Sequence, residues 1–330
     1  MDYGLDTKKL DLSPCRVDTL PPFPEGIETL DIGYWVTHPL PPLPSSLLHF
    51  TCRNNTLTAL PELPSGLITF CSSMRNLETL PSLPESLEML SFDGGRFRQL
   101  PELPPNLRII SNLSALLLES LPSLPSKLEH LRICLGGFES LPPLPPAIKC
   151  LNFDFSMKLR SLPDLPVALE ELWCEDCRSL ETLPPTFPPR LMRVNLLRTK
   201  IRELPPLPKT LRTLHCSWSQ LTRVPELPEG LRELSCHDTC VTELPELPES
   251  LEYLTWDPPP GHPLCKINRN AEKWVSIVRE YTKQESSRKR IQSRTRLLAE
   301  EIVASAWHPR RFEAWCLDED EKAEARLLFG

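Results

Sequence analysis

The chain has 330 residues, a formal net charge of −7 and 40% hydrophobic residues. Its 39 prolines would suggest disorder if they were scattered, but they recur at a fixed spacing, which predicts an ordered repeat structure. No apolar run reaches the length that crosses a bilayer, and the first residues lack the basic and apolar regions of a signal peptide. We therefore expect an intracellular, cytoplasmic protein that contacts no membrane.

Residues 1–19 precede the repeats and are too short for an independent domain. Leu10, Leu12 and Val17 predict a strand in this N-terminal cap. Such a strand would cover the first coil, because the open end of a solenoid otherwise presents an apolar edge.

Residues 20–256 contain twelve copies of one unit, spaced by 20 or 21 residues. The residues before the first proline of each copy are Leu20, Leu40, Leu60, Leu80, Leu100, Leu121, Leu141, Leu162, Leu183, Leu204, Val224 and Leu244. The first half of the unit, Leu-Pro-x-Leu-Pro, predicts an extended, polyproline-like segment, because proline fixes its own φ and restricts its predecessor. The second half, Leu-x-x-Leu-x-apolar, predicts a strand, and the short period allows neighbouring strands to pair only in parallel.

The inward side of each unit is predicted from its apolar positions. A further apolar residue stands before the next repeat in most copies: Leu57, Leu77, Phe97, Phe138, Ile201, Leu221 and Val241. Four of the 12 cysteines, Cys52, Cys174, Cys216 and Cys236, occupy the last inward strand position. We therefore interpret them as small core hydrophobes and free thiols in a reducing compartment, not as a disulfide framework.

These paired Leu-Pro steps resemble the short leucine-rich repeats of the type III effectors of enteric bacterial pathogens. The resemblance covers residues 20–256 and implies an α/β repeat solenoid, a leucine-rich-repeat horseshoe with a parallel β-sheet and an extended convex side. That family places asparagine in the turn after the strand, where its amide bonds the next coil. Asn55 matches this position, but other copies carry Arg75, Gly95, Thr199, Ser219 and Thr239, so we expect looser or differently bonded turns.

Residues 257–330 predict a small α-helical C-terminal cap on the last coil. Asn270 can cap a first helix, whose apolar stripe is Trp274, Ile277, Val278 and Tyr281. The basic tract 287–296 leads into a second helical pattern with Leu298, Ile302 and Ala306. Segment 306–321 resembles the tail of proteins of large nucleocytoplasmic DNA viruses, which implies a giant-virus protein in the host cytoplasm or the virion.

An enzymatic alternative follows from the same bacterial resemblance. Several such effectors carry a helical ubiquitin-ligase domain whose cysteine lies in a Cys-x-Asp motif, and Cys316-Leu-Asp318 matches it. The motif also occurs at Cys174 and Cys236 inside the repeats, and the 74 residues after Trp256 are shorter than the family's ligase domain. We therefore predict no enzyme, and keep as alternative a ubiquitin-ligase effector or a substrate-recruiting adaptor that uses the tail.

The spacing of cysteines and histidines suggests a candidate metal site, and a basic tract suggests a candidate nucleic-acid site. Cys174-Glu-Asp-Cys177 contains a close pair of thiols, and His215, Cys216, Cys236 and Cys240 are close in the repeat register, but strand alternation sends Cys216 inward and His215 outward. We predict no metal and no cofactor. The basic tract 287–296 could contact nucleic acid or address the nucleus, but the negative total charge argues against a phosphate-binding face.

The outward row of the strands remains as the candidate site. Its predicted partner-binding residues are His130, Arg132, Trp173, Met192, Arg193, Arg212, His215, Arg232 and Tyr253. We also expect six apolar members of the row to be exposed: Ile68, Met89, Ile109, Trp173, Met192 and Tyr253. Aromatic and arginine side chains are enriched at protein interfaces, so the sequence predicts an interaction module that binds a protein partner, such as a host protein, on the concave sheet.

Overall fold

The computed structural model describes residues 8–13, 20–34, 36, 39–54, 56–114, 117–266 and 274–306. The chain divides into two compact units, Met1–Val275 and Ser276–Gly330. The predicted division into residues 1–19, 20–256 and 257–330, and the capping role of the two ends, remain predictions. Within the described ranges, no helix combines the length and apolar character that a membrane span needs.

The first unit is built on one parallel sheet of 13 strands, which follow one another in chain order. The strands are β1 (Lys9–Leu12), β2 (Thr29–Ile32), β3 (His49–Arg53), β4 (Thr69–Ser73), β5 (Met89–Asp93), β6 (Ile109–Ser114), β7 (His130–Cys134), β8 (Cys150–Asn152), β9 (Glu171–Trp173), β10 (Arg193–Asn195), β11 (Thr213–His215), β12 (Glu233–Cys236) and β13 (Tyr253–Trp256). A short 3-10 helix follows at Pro263–Lys266. Each coil of the chain therefore contributes one strand, as the repeat spacing predicts.

The predicted strand before the repeats is present. β1 pairs in parallel with β2, with Leu10 opposite Leu30 and Leu12 opposite Ile32. Leu12 is buried, whereas Val17 lies outside the described residues.

The Leu-Pro tracts are extended and end in one repeated turn. In the copy around Leu87, the carbonyl of Pro84 accepts a hydrogen bond from the Leu87 N–H at 3.1 Å. The next N–H, of Glu88, donates to the Ile68 carbonyl of the preceding coil at 2.9 Å and begins the sheet ladder. The prolines lack an N–H, so these tracts leave few backbone donors that need a partner.

The core consists of the inward positions that the repeat predicts. Leu90 and Phe92 are fully buried, and so are the seven apolar residues that precede the next repeat. Phenylalanines stack across neighbouring coils: the Phe50 and Phe70 rings are 5.4 Å apart and nearly parallel. Cys52, Cys174, Cys216 and Cys236 are also buried, which confirms their place in the core.

One of the 21-residue spacings coincides with a β-bulge. The register shifts in both pairings of β6, after Ser91 on its β5 side and after Ile110 on its β7 side. The copy from Leu100 to Leu121 is one residue longer than those before it, so the bulge accommodates the extra residue without breaking the sheet.

The turns after the strands are bonded differently from an asparagine ladder, as expected. The predicted Asn55 lies outside the described residues, and the neighbouring Asn54 is the buried amide that donates to the Val36 carbonyl at 2.6 Å. In later coils hydroxyls act instead: Thr199 donates to the Leu196 carbonyl at 2.8 Å. Ser219 and Thr239 make the same bond in their own coils.

The C-terminal region corrects the prediction of two helices. A single helix, α1 (Trp274–Ala306), runs for 33 residues through the basic tract. Ser287, which opens the basic tract that was expected to lead into a second helix, donates its hydroxyl to the Lys283 carbonyl at 2.9 Å within the helix. Arg288 and Arg290 are exposed on it. Asn270 and segment 307–330, including Cys316, lie outside the described residues.

Candidate functional site

The sheet face comprises the side chains of β2–β13 and the residue before each strand that point away from the core. All nine predicted binding residues lie here and none is in the core. His130 and Arg132 are on β7, Trp173 on β9, Arg193 on β10, His215 on β11 and Tyr253 on β13, while Met192, Arg212 and Arg232 directly precede β10, β11 and β12. None of the nine is therefore a core residue, and their role in binding a partner remains a prediction.

Strand register brings some of these residues together and separates others. Arg193 pairs across the ladder with Glu171, and Asn195 lies between Trp173 and His215. Trp173, Arg193 and His215 thus form a compact group on three successive strands. His130 and Arg132 are two strands away from Trp173, and Tyr253 lies on the last strand.

Glu171 organises the centre of this group. Its carboxylate accepts hydrogen bonds from Trp173 Nε1 at 3.3 Å and from Arg193 Nη1, with which it also forms an ion pair. Partial burial alone would raise the pKa of the Glu171 carboxyl. The hydrogen bonds from Trp173 and Arg193, together with the arginine charge, outweigh the effect of burial and hold this pKa below its usual value. The ionised carboxylate therefore fixes both side chains in place.

The prediction that six apolar side chains of the sheet face are exposed is correct for one of them and wrong for five. Tyr253 is 53% exposed, as expected. Ile68, Met89, Ile109, Trp173 and Met192 are only half-buried, not exposed. Neighbouring strands lie about 4.8 Å apart, so side chains from adjacent coils cover one another's flanks.

A second set of exposed apolar side chains was missed by the sequence analysis. Tyr34, Phe155 and Trp218 each stand two residues after the last inward strand residue of their coil, and are 53%, 41% and 50% exposed. Met157 lies on the same turn as Phe155 and is 48% exposed. The signal was present in the repeat register, because four other copies carry a polar residue at this turn position: Asn54, Asp176, Arg198 and Asp238.

The cysteines of the catalytic alternative inside the repeats are unsuited to nucleophilic chemistry. A hydrogen bond with Cys177 and then burial raise the pKa of Cys174 well above its ordinary value. Burial does the same to the pKa of Cys236. Both thiols are therefore held neutral, whereas nucleophilic attack requires the thiolate.

A serine–histidine contact in the turns after β11 and β12 has the wrong proton arrangement for catalysis. Ser217 Oγ lies 2.7 Å from His237 Nδ1. Trp218 Nε1 donates to His237 Nε2 at 2.8 Å, so in the neutral ring the proton sits on Nδ1. Nδ1 then donates to Ser217 and cannot take its proton. Among the residues that the structure describes, no group of three or more His, Cys, Asp or Glu side chains is placed to hold a metal ion.

No protein-family model and no curated protein matches the chain. Solved structures do: YopM, a leucine-rich effector protein from Yersinia pestis, is 28% identical over 75% of this chain and 82% of its own, with a TM-score of 0.52. YopM from Yersinia enterocolitica WA-314 is 24% identical over 75% and 82% of the two chains, with a TM-score of 0.29. CroV588, a circular leucine-rich-repeat protein, is 18% identical over 70% and 43%, with a TM-score of 0.35.

Of these structures, YopM from Yersinia pestis, with the TM-score of 0.52, bears on the fold. The parallel sheet of one strand per coil, the repeat spacing and this match together define the fold as a leucine-rich-repeat solenoid. Its structural neighbour is a bacterial effector of the same repeat type, as the Leu-Pro steps predict. The fold suggests a protein-interaction module.

Proposed function

We propose that the protein is a non-enzymatic interaction module that binds a partner protein on the sheet face, the concave side of the solenoid. The contact is centred on Trp173, Arg193 and His215. By likeness to YopM, which is described as an effector, we place this binding in the cytoplasm of a host cell. The partner is a host protein.

The group around Glu171 is the observation that carries this proposal. Trp173 and Arg193 are residue types that dominate binding energy at protein interfaces. Both are held by one carboxylate, on adjacent strands of a continuous sheet. Because they are fixed before binding, association loses little side-chain entropy, which is the usual cost of ordering an interface.

The flanking residues fit the same interpretation. Arg212 and Arg232 are exposed beside the group, and Glu233 places a carboxylate 3.4 Å from the His215 ring. Charged groups at the rim of an interface mainly select the partner and accelerate association. We therefore assign the affinity to Trp173 and Arg193, and the selectivity to the surrounding charges.

The test is affinity capture from host-cell lysate, followed by affinity measurement with each purified captured protein. Three baits are compared: the native chain, a Trp173→Ala, Arg193→Gln variant, and a matched Val167→Ala, Lys209→Glu control. Val167 and Lys209 are exposed in the turns that follow the proline tracts, away from the strands. All three must show the same melting temperature.

The expected result is a partner whose affinity falls at least about tenfold with the sheet-face variant and is unchanged with the control. Amide hydrogen exchange of the complex should show protection of β9–β11. Equal binding by the two variants would contradict the proposal, and so would protection confined to the proline tracts.

A further inference from the structure

The turns after the strands carry an ordered row of residues with left-handed backbone. Its members in successive coils, which we name the turn row, are Leu135, Phe155, Asp176, Arg198, Trp218 and Asp238, with φ between 50° and 62°. The backbone N–H of each donates to the next coil, for example from Phe155 to the Glu175 carbonyl at 2.7 Å and from Trp218 to the His237 carbonyl at 3.0 Å. The turn row is therefore in fixed register beside the sheet.

Bulky residues occupy this row at an energetic cost. The left-handed region favours glycine and asparagine, and a large side chain there is strained. Trp218 has φ 59° and Phe155 has φ 62°. The same turn imposes this backbone on all six coils, so Phe155 and Trp218 differ from the rest of the row in their exposed aromatic side chains, not in their φ.

Trp218 is held rigidly while half of its surface stays open. The Arg198 guanidinium lies 5.2 Å from the ring centroid, in a cation–π contact. His237 accepts the indole N–H at 2.8 Å and packs against the ring at 84°. Trp218 is nonetheless 50% exposed. A fixed, open tryptophan beside an arginine is the composition of an interface hot spot.

The exposed apolar surface continues along the row. Phe155 and Met157 are 41% and 48% exposed. Phe155 and Trp218 lie three coils apart, a distance of about 14 Å at the usual strand spacing. An extended peptide of about five residues spans that distance.

The turns that carry these residues are also basic, although the whole chain is negative. In the segments 155–160, 176–182, 198–203 and 218–223, which we name the basic edge, the basic residues are Lys158, Arg160, Arg178, Arg198, Lys200, Arg202 and Arg223. The acidic residues of the same segments are Asp176, Glu181 and Glu203. In the corresponding turn of the next coil, 238–243, the charged residues are acidic: Asp238 and Glu243. The basic edge therefore ends before this coil.

Arg160 pairs with Glu139 at 3.5 Å and Lys200 with Glu181 at 3.3 Å, but internal pairing leaves part of the remaining positive charge uncompensated. Arg178 and Arg198 share one carboxylate, that of Asp176, whose side chain is 3% exposed. Burial opposes ionisation of Asp176, but the two arginines together hold its pKa below the usual value. One buried negative charge thus faces two arginines whose side chains are 64% and 45% exposed.

We propose that the basic edge is a second interaction surface, which binds an acidic peptide segment of a partner protein through Trp218, Phe155 and Met157. Arginine and lysine meet the acidic side chains, and the apolar residues take one or two large apolar side chains of the segment. A nucleic acid is disfavoured by the negative total charge, and because Arg198 already covers a face of the Trp218 ring.

The test is a selection of phage-displayed random peptides on the full chain, with affinities of the enriched peptides measured by fluorescence polarisation. Trp218→Asn is the main variant, because asparagine tolerates the left-handed backbone and removes only the indole. Phe155→Asn combined with Met157→Ala is a second variant that leaves Trp218 in place. Trp173→Ala, on the sheet face, is the matched control.

We expect enriched peptides to be rich in Asp and Glu and to contain Phe, Trp or Leu. Their affinity should fall at least about tenfold with Trp218→Asn, fall with the second variant, weaken with added salt, and stay unchanged with Trp173→Ala. The proposal is overturned by enriched peptides that are not acidic or that bind Trp218→Asn as tightly as the native chain. It is equally overturned if no peptide is enriched, or if an oligouridine RNA binds the edge and acidic peptides do not displace it.

Discussion

Trp218 Nε1 donates a hydrogen bond to His237 Nε2 at 2.8 Å, although the indole is half exposed. The other ring nitrogen, Nδ1, lies within hydrogen-bond distance of the Ser217 and Thr255 hydroxyls. His237 therefore connects an open tryptophan on the turn to hydroxyl groups on the two coils beside its own. This connection restricts the motion of the indole.

We predict that His237→Phe releases the Trp218 side chain, because phenylalanine keeps the ring packing but cannot accept a hydrogen bond. The indole N–H of Trp218 should exchange with solvent deuterium faster in this variant, as followed by NMR. The Trp173 indole, which donates to Glu171, is an internal reference that should not change. An unchanged exchange rate for Trp218 would show that the bond to His237 does not restrain it.

Cysteine reactivity should follow the inward and outward positions of the repeat. Burial raises the pKa of the Cys52 and Cys216 thiols to about 12, so at neutral pH almost no thiolate is present. Cys240 and Cys265 are exposed. We expect an alkylating reagent to modify these two in the native protein, and Cys52 and Cys216 only after denaturation.

Peptide mapping by mass spectrometry, with isotopically distinct reagents before and after denaturation, checks this prediction. Modification of native Cys216 as fast as Cys240 would contradict the burial of the inward thiols.

The repeat register was predictable from the sequence because side-chain direction in a strand has a period of two. Leu90 and Phe92, two residues apart, are both buried. Met89, which precedes Leu90, and Ser91, which lies between the two, are not buried. The same rule placed Trp173 and Arg193 on the sheet face. Exposure was harder to predict, since it depends on neighbours in adjacent coils, as the half-buried Met89 and Ile109 show.

Two features escaped prediction for different physical reasons. Trp218 was missed because turn positions have no simple periodicity, and its partners Arg198 and His237 belong to other coils. The continuous helix α1 was missed because the basic tract 287–296 interrupts the apolar pattern. Serine within a helix can instead bond the carbonyl four residues earlier, and the surrounding Arg, Lys and Gln residues favour helix.

Glu129 should make stability sensitive to acid. Hydrogen bonds from Lys149 and from Arg108 lower the pKa of its carboxyl from 4.5 to about 2. A carboxyl with a lowered pKa stabilises the folded state above its unfolded value, and this contribution is lost as the pH falls through the folded value. The melting temperature of Glu129→Gln should therefore be below that of the native chain above pH 4.5, with a difference that shrinks toward pH 2.

Glu119→Gln is the control for this pH series. Glu119 pairs with Arg98 alone and its side chain is 59% exposed, so its replacement should have little effect. A Glu129→Gln difference that stays constant across the acid range would contradict the assignment.

Side-chain hydroxyls should contribute measurably to the free energy of unfolding through the turns in which they replace asparagine. Thr199 is buried, and its Oγ1 donates to the Leu196 carbonyl at 2.8 Å. Thr199→Val keeps the shape but leaves that carbonyl without this donor, so we expect a loss of about 1–2 kcal/mol in the free energy of unfolding, measured in urea. Thr222→Val removes a hydroxyl bond of 3.2 Å at an exposed position and should change it by less than about 0.5 kcal/mol. Equal losses in the two variants would mean that burial does not strengthen the turn bond, and that the backbone ladder alone supports these turns.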